Sequence, residues 1–200
     1  HYFKHLGVSD GLSQVCIPSI YQDELGAVWL GTTEGLNRYN GKDVKVFQPS
    51  ESNHGLTNNE INELCGDKNG RMYIRSGNDL IKLDIYTEQF TCLRQKGVYG
   101  LFCKKDTLWV SCADGIYYYT GQGTELTFFA RVQKGFVGRA LYVDKETVWV
   151  VTRKYLVAIS REDPLRQEIL LTLDKGNCIL GDSSGNIWVG AWNGLYRISP

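Results

Sequence analysis

Several things are scarce in this chain, and each scarcity narrows what it can be. Net charge is absent: Lys plus Arg is 22 and Asp plus Glu is 22. No Lys/Arg cluster stands out either, which excludes nucleic-acid binding through a basic surface. Apolar runs reach only a few residues, too short for a helix to span a bilayer. Histidine is limited to 3 residues, two of them among the first five, and the 6 cysteines contain no C-x-x-C pair. A zinc site needs four clustered ligands, so none is assigned. The cysteines are too sparse for a disulfide framework. Cys16, Cys65, Cys92, Cys103, Cys112 and Cys178 read mostly as small apolar residues on strands, with any individual disulfide left open. Proline falls to 4, whereas Gly 22, Tyr 12 and Trp 5 describe an ordered, turn-rich chain. Methionine occurs once, at Met72, and the first residue is His1. The chain is therefore expected to be processed or cut from something longer, a removed signal peptide leaving no trace. Its 200 residues make one large domain or two small ones, enough to bury about 70% of the unfolded surface.

What is abundant is internal likeness. Asp23-Glu-Leu-Gly26-Ala-Val-Trp29-Leu-Gly31 is echoed by Asp182-Ser-Ser-Gly185-Asn-Ile-Trp188-Val-Gly190. Each is followed by a Gly-Leu step and an aromatic, Gly35-Leu36 with Tyr39 and Gly194-Leu195 with Tyr196. Three degraded copies lie between: Asp67-Lys-Asn-Gly70-Arg-Met-Tyr73-Ile, Asp106-Thr-Leu-Trp109-Val and Glu146-Thr-Val-Trp149-Val. The aromatic anchors fall at 29, 73, 109, 149 and 188, giving gaps of 44, 36, 40 and 39. A period near 40 belongs to solenoids, propellers or arrays.

Helical repeats are excluded by the residues around the anchors. Runs such as Leu108-Trp-Val-Ser-Cys112 and Ile116-Tyr-Tyr-Tyr119 are short, β-prone and bounded by Gly, Asp or Asn, the pattern of strands joined by hairpins. Asp-x-x-Gly fits the turn between two of them: Asp caps it through its side chain and Gly takes the positive φ. Strands apolar on both faces, as in Ala27-Val-Trp-Leu30, are covered on both sides. Four such strands per period make a propeller blade. The predicted fold is an all-β propeller of four-stranded antiparallel blades, about five present, forming a single domain or part of one. Blades are placed near 8–52, 53–96, 97–133, 134–174 and 175–200, the last without a rim strand. Residues 1–7 are assigned to a closing strand lent to another blade, which removes an exposed sheet edge. Whether the ring closes at five blades or continues to seven stays open.

Gly11-Leu-Ser-Gln14 leading to Ile20-Tyr-Gln-Asp23, then Gly26-x-x-Trp29-Leu-Gly31-Thr-Thr-Glu-Gly35-Leu-Asn-Arg38-Tyr39-Asn-Gly41, resembles the two-component regulator propeller repeat. Gly55-Leu-Thr-Asn-Asn59 through Asp67 repeats the opening signature of a blade. The resemblance is strong in blades 1 and 5 and weak in blades 3 and 4. Blade 3 has Lys104-Lys-Asp-Thr107 in place of Asp-x-x-Gly, and blade 4 has Val151 after the tryptophan step. The resemblance implies the N-terminal periplasmic propeller of a hybrid two-component system histidine kinase of Bacteroidetes. Such receptors carry a second propeller, a β-sandwich domain, a membrane helix, kinase, receiver and DNA-binding output, and control polysaccharide utilisation. The kinase active site would then lie outside residues 1–200, in a receptor anchored in the inner membrane and expected to act as a homodimer.

Candidate chemistry is thin. Gly181-Asp-Ser183-Ser-Gly185 fits the serine-hydrolase elbow, which has meaning only between a strand and a helix, with a histidine and an acid elsewhere. It aligns with the Asp23 and Asp67 turns, and His54 is the sole histidine outside the first five residues, so it is read as a hairpin. Asp67-Lys-Asn69-Gly70 mimics a calcium loop but lacks the later bidentate acid. No catalytic residue, metal or cofactor is assigned. Trp29, Trp109, Trp149 and Trp188 recur at one strand position and read as packing between blades. Trp192 breaks the repeat, in a loop between the second and third strands of its blade. Sugar sites combine an aromatic platform with polar side chains that meet hydroxyl edges. The corresponding loops supply Glu34, Asn78, Asp79, Asp114, Arg153, Lys154, Tyr155 and Asn193, and the connections between blades add Asn58, Asn59 and Arg139. This set is the predicted binding face, each member having an ordinary solvated loop residue as its alternative. Arg153 and Lys154 suit an acidic sugar.

Three functions follow from this reading. The first is a non-catalytic sensor that binds an oligosaccharide and biases a kinase across the membrane. The second is an interaction or dimerisation scaffold. The third, a propeller glycosidase or lyase, needs two acids about 5–10 Å apart, whereas Glu34 and Asp114 belong to blades that are not adjacent.

Overall fold

The computed structural model describes residues 4–50 and 55–200. Strands dominate, and no helix among them is long and apolar enough to cross a membrane. Blade 1 is β1 (Ser19–Gln22), β2 (Val28–Thr32), β3 (Gly35–Tyr39) and β4 (Val44–Phe47). Blade 2 is β5 (Ile61–Gly66), β6 (Arg71–Ser76), β7 (Asp79–Asp84) and β8 (Gln89–Arg94). Blade 3 is β9 (Val98–Lys104), β10 (Thr107–Cys112), β11 (Gly115–Tyr119) and β12 (Thr127–Ala130). Blade 4 is β13 (Gly138–Val143), β14 (Thr147–Thr152), β15 (Tyr155–Ser160) and β16 (Gln167–Thr172). Blade 5 has only β17 (Cys178–Gly181), β18 (Ile187–Ala191) and β19 (Gly194–Ile198). Each sheet is a meander of antiparallel neighbours, called here strands a to d. The fold is that of β-propeller blades. Of the opening segment, residues 4–7 carry no strand, and residues 1–3 lie outside the described residues.

The chain divides into two compact units, residues 1–96 with blades 1 and 2 and residues 97–200 with blades 3 to 5. In each, strand a of one blade packs on strand a of the next: β1 on β5 in the first unit, β9 on β13 and β13 on β17 in the second. Tyr21 fills the space left by Gly66, where a Cβ would stand 2.2 Å from its hydroxyl. Tyr142 does the same at Gly181, again at 2.2 Å from its hydroxyl. Glycine is required at both places because a neighbouring ring occupies the volume of a side chain.

The five anchors hold equivalent positions. Trp29 pairs with Tyr21 and Arg38, Tyr73 with Cys65 and Lys82, and Trp109 with Phe102 and Tyr118. Trp149 pairs with Tyr142 and Ala158, and Trp188 with Leu180 and Arg197. Trp29 and Tyr73 are fully buried, each contributing roughly 2–3 kcal/mol of apolar transfer.

The Asp-x-x-Gly turns form as the sequence predicts, with Gly26, Gly70 and Gly185 at φ 86°, 85° and 83°. Their aspartates do more than cap. Asp23 Oδ1 accepts the amides of Leu25 (3.0 Å) and Ala27 (2.9 Å), while its Oδ2 accepts the indole N–H of Trp29 at 2.7 Å. Asp182 repeats this with the amides of Ser184 and Asn186 and the Trp188 indole, all at 2.9 Å. Asp144, in the degraded blade 4, still accepts Trp149 at 2.7 Å. The Trp188 indole and the Asn186 side chain hold the Asp182 carboxyl at about 2, far below the ordinary carboxylate range. Burial alone would raise the Asp144 carboxyl, but the Trp149 indole and the amides of Glu146 and Thr147 outweigh it and the net direction is downward. The elbow-like string Gly181-Asp-Ser183-Ser-Gly185 is this turn, between two strands and with no helix after it. Asp67 binds the Asn69 and Arg71 amides and the Arg71 guanidinium, so its carboxylate is occupied within the turn that resembled a calcium loop.

Candidate functional site

Strand b ends, in every blade, on a small residue beneath the b–c turn: Thr32, Ser76, Cys112, Thr152 and Ala191. The first four are buried. Thr152 Oγ1 donates to the Tyr155 carbonyl (3.0 Å) and accepts the Lys154 (3.2 Å) and Tyr155 (2.9 Å) amides. Thr32 likewise donates to the Gly35 carbonyl (2.9 Å) and accepts the Glu34 amide (3.1 Å). Ser76 reaches instead to Asn58, donating to its carbonyl at 2.8 Å and accepting its amide at 3.0 Å. Where a threonine satisfies the turn's backbone from below, as in blades 1 and 4, the two turn residues are free to carry unrelated side chains.

The first unit places Asn58 beside the turn that holds Asn78, its amide nitrogen 3.1 Å from where a Cβ on Gly77 would stand. Asn58 Oδ1 accepts the Glu60 amide (2.9 Å), and Asp79 Oδ1 accepts the Lys96 amide (2.6 Å), so both hold backbone. Asn59, Asn78 and Glu34 are exposed, Glu34 standing apart in blade 1, where its carbonyl accepts the Gln48 side-chain amide at 2.8 Å. His54 lies outside the described residues.

The second unit is more informative. Trp192 is 76% exposed, but Lys175 Nζ sits 3.8 Å from its ring centroid and covers one face. Asn193 is drawn into the same corner, accepting the Asp174 amide (3.3 Å) and donating to the Tyr196 hydroxyl (2.6 Å). Asp114 accepts the Tyr117 hydroxyl at 2.9 Å. None of these lines the cleft that gathers the rest. That cleft, of about 430 Å³, is lined by Tyr99, Gly135, Phe136, Val137, Arg139, Thr152, Arg153 and Lys154. Tyr155 stands behind Phe136, ring centroids 4.8 Å apart, and both pack against the apolar core of blades 3 and 4.

Arg139 corrects the sequence reading: it belongs to strand β13, not to a connection. Gly138 pairs with Thr152 and Ala140 with Val151, so Arg139 is the extra residue of a bulge. Tyr99 has the same place in blade 3, where Val98 pairs with Cys112 and Gly100 with Ser111. A bulge re-aims the residue it ejects from the ladder, and here two bulged residues from adjacent blades line one cleft. Gly100 permits their approach, since a Cβ there would lie 2.6 Å from the Arg139 carbonyl oxygen. Sequence reasoning missed Tyr99, Phe136 and Val137 because it searched the loops for polar residues and could not see the register shifts.

Comparisons with known proteins agree with this architecture. Residues 11–34 match the family described as two component regulator propeller. The extracellular domain of a hybrid two component system of B. thetaiotaomicron superposes with a TM-score of 0.85 at 23% identity, over 98% of this chain and 30% of that one. A second extracellular domain from that organism, of a one component system, gives 0.78 at 20% identity, over 98% and 31%. Histidine kinase P4 of Formosa agariphila is 41% identical over 46 residues, which is 23% of this chain and 3% of that protein. The chain thus spans under a third of these solved domains. Residues 11–34 match the two component regulator propeller repeat, and the blades have the fold of those two extracellular domains.

Proposed function

We propose that the chain is a non-catalytic sensor propeller in the periplasmic part of a hybrid two-component receptor, and that it recognises an oligosaccharide released by glycan breakdown. The observation that carries the reading is the blade 3–4 cleft, whose aromatic wall and convergent donors suit the C–H faces and hydroxyl edges of a pyranose. The repeat at residues 11–34 supports the signalling context. Binding would shift the geometry of the receptor, its second propeller, β-sandwich domain and homodimer partner included, and so bias the kinase that controls polysaccharide-utilisation genes. A single propeller domain is part of this proposal.

Calorimetry with glycan fragments on the complete extracytoplasmic region tests it. At least one fragment is expected to release heat that Arg153→Ala combined with Phe136→Leu abolishes. Binding unaffected by every substitution on this face would favour the scaffold reading, and release of reducing sugar would favour a glycosidase.

A further inference from the structure

The second unit has another cleft rich in cations, and the contrast between the two is instructive. That one, of about 340 Å³, lies at the a–b turns and is lined by Lys104, Lys105, Asp106, Asp144, Lys145 and Arg161 among others. There the basic groups are internally engaged. Lys104 Nζ donates to the Val143 carbonyl (2.7 Å), and Arg161 donates to the carbonyls of Asp144 and Lys145, both at 2.9 Å. Acids share the lining, so its positive charge is answered at home.

The blade 3–4 cleft at the b–c turns is different. Arg139, Arg153 and Lys154 line it with no acid beside them. No ion pair or side-chain hydrogen bond engages any of the three among the described residues. All three are exposed, in a chain whose net charge is zero. Three unanswered cations lining one concavity focus a positive potential there that attracts an anion. The backbone device that puts Arg139 there is a bulge, not a free loop, and Arg153 and Lys154 sit on a turn fastened by buried Thr152. The cations are therefore presented by fixed backbone. Beside them stand the rings of Tyr99 and Phe136, the second braced by Tyr155.

We infer that this cleft selects an anionic sugar unit, one bearing a carboxylate or a sulfate ester. The guanidinium fork matches both groups in a bidentate manner, and an aromatic wall takes the apolar face of the ring that carries them. This rests on the oligosaccharide reading and narrows it to a class. The two sources of negative charge, uronic acids and sulfated sugars, share the chemistry and are separated by the test.

The test titrates the intact protein with glucuronate, glucose 6-sulfate, glucose and inorganic sulfate, following the Arg side-chain N–H signals of Arg139 and Arg153 by NMR. At least one of the two anionic sugars is expected to bind about tenfold more tightly than glucose or sulfate, and the one that does names the source. Arg153→Gln and Arg139→Gln should each remove that preference, while Trp192→Ala leaves it. Neither substitution touches the core, and unchanged amide spectra elsewhere would establish that. Equal response to glucose and to both anionic sugars overturns the inference, as does sulfate alone binding as well as glucose 6-sulfate. If neutral oligosaccharides bind the receptor while the anionic sugars leave the cleft untouched, this inference fails and the sensor reading survives. If no sugar of either kind binds, both fail.

Discussion

Replacing Asp23 by Ala removes a carboxylate that is 4% exposed and holds three N–H donors. Leu25, 56% exposed, can turn its amide to water. The Ala27 amide and the Trp29 indole cannot, because both residues are buried. Each buried donor left without a partner costs about 1–3 kcal/mol, so the substitution should destabilise blade 1 by roughly 2–6 kcal/mol, a large share of the roughly 5–15 kcal/mol that holds a domain together. Asn is not a gentle substitute. The carboxylate uses one oxygen for the two amides and the other for the indole, whereas an amide has a single acceptor oxygen and must turn its NH₂ against one of those donors. Asp23→Asn should therefore keep only about half of what Asp23→Ala loses. Trp29 is the sole tryptophan in residues 1–96, so urea unfolding followed by ¹⁹F NMR of the fluorotryptophan-labelled protein reads this unit by itself. Asp43, exposed and without a side-chain partner among the described residues, serves as control and should stay within about 0.5 kcal/mol of the parent when changed to Ala. An Asp23→Ala loss no larger than that control, or an Asn variant as stable as the parent, would refute the reasoning.

Acid should loosen the second unit first at the same motif. Asp182 titrates at about 2 in the folded chain and Asp144 is also lowered, so the unfolded chain takes up these protons first and stability falls as pH drops from about 4 toward 2. The indole N–H signals of Trp188 and Trp149 should shift in that window, and Asp182→Asn should flatten the Trp188 curve; signals that move together with Trp192 instead would argue against it. Gly66→Ala and Gly181→Ala should each cost about 1–3 kcal/mol by overpacking, because the new methyl would overlap Tyr21 or Tyr142. In each case trimming the tyrosine to Phe should recover little, while trimming it to Leu should recover part, as thermal melts of the double variants can show.

The fold was legible because it is written several times over. Any one Asp-x-x-Gly or buried tryptophan is weak, but copies at 29, 73, 109, 149 and 188 corroborate each other, and the strands lie close to where the period puts them. Even so, the Asp-to-Trp hydrogen bond escaped notice. The six-residue spacing from Asp23 to Trp29 and from Asp182 to Trp188 is visible in the sequence, but the contact depends on how the hairpin twist swings the indole back over the turn. Trp192 stands out in the sequence because it departs from the repeat, but spacing gives no sign that Lys175, seventeen positions earlier in the chain, lies across one face of its ring.

Recognition belongs to what remains when the repeat is subtracted. The position five before the first turn residue of each blade reads Pro18, Asn62, Tyr99, Arg139 and Asn177, five environments on one backbone plan. In blades 2 to 4 that residue sits at a register shift, and a register shift leaves no mark in composition or periodicity. The b–c turns vary as freely, from Gly77-Asn78 to Arg153-Lys154, and in blades 1 and 4 Thr32 and Thr152 satisfy the turn from beneath. Repetition fixes the frame at positions that cannot change, and so leaves chemistry to the positions that can. That division explains why the loop residues could be named one by one from the sequence while their grouping could not. Which of them meet depends on neighbouring blades, and the meeting of Tyr99 with Arg139 required Gly100 to let one strand pass close to the next.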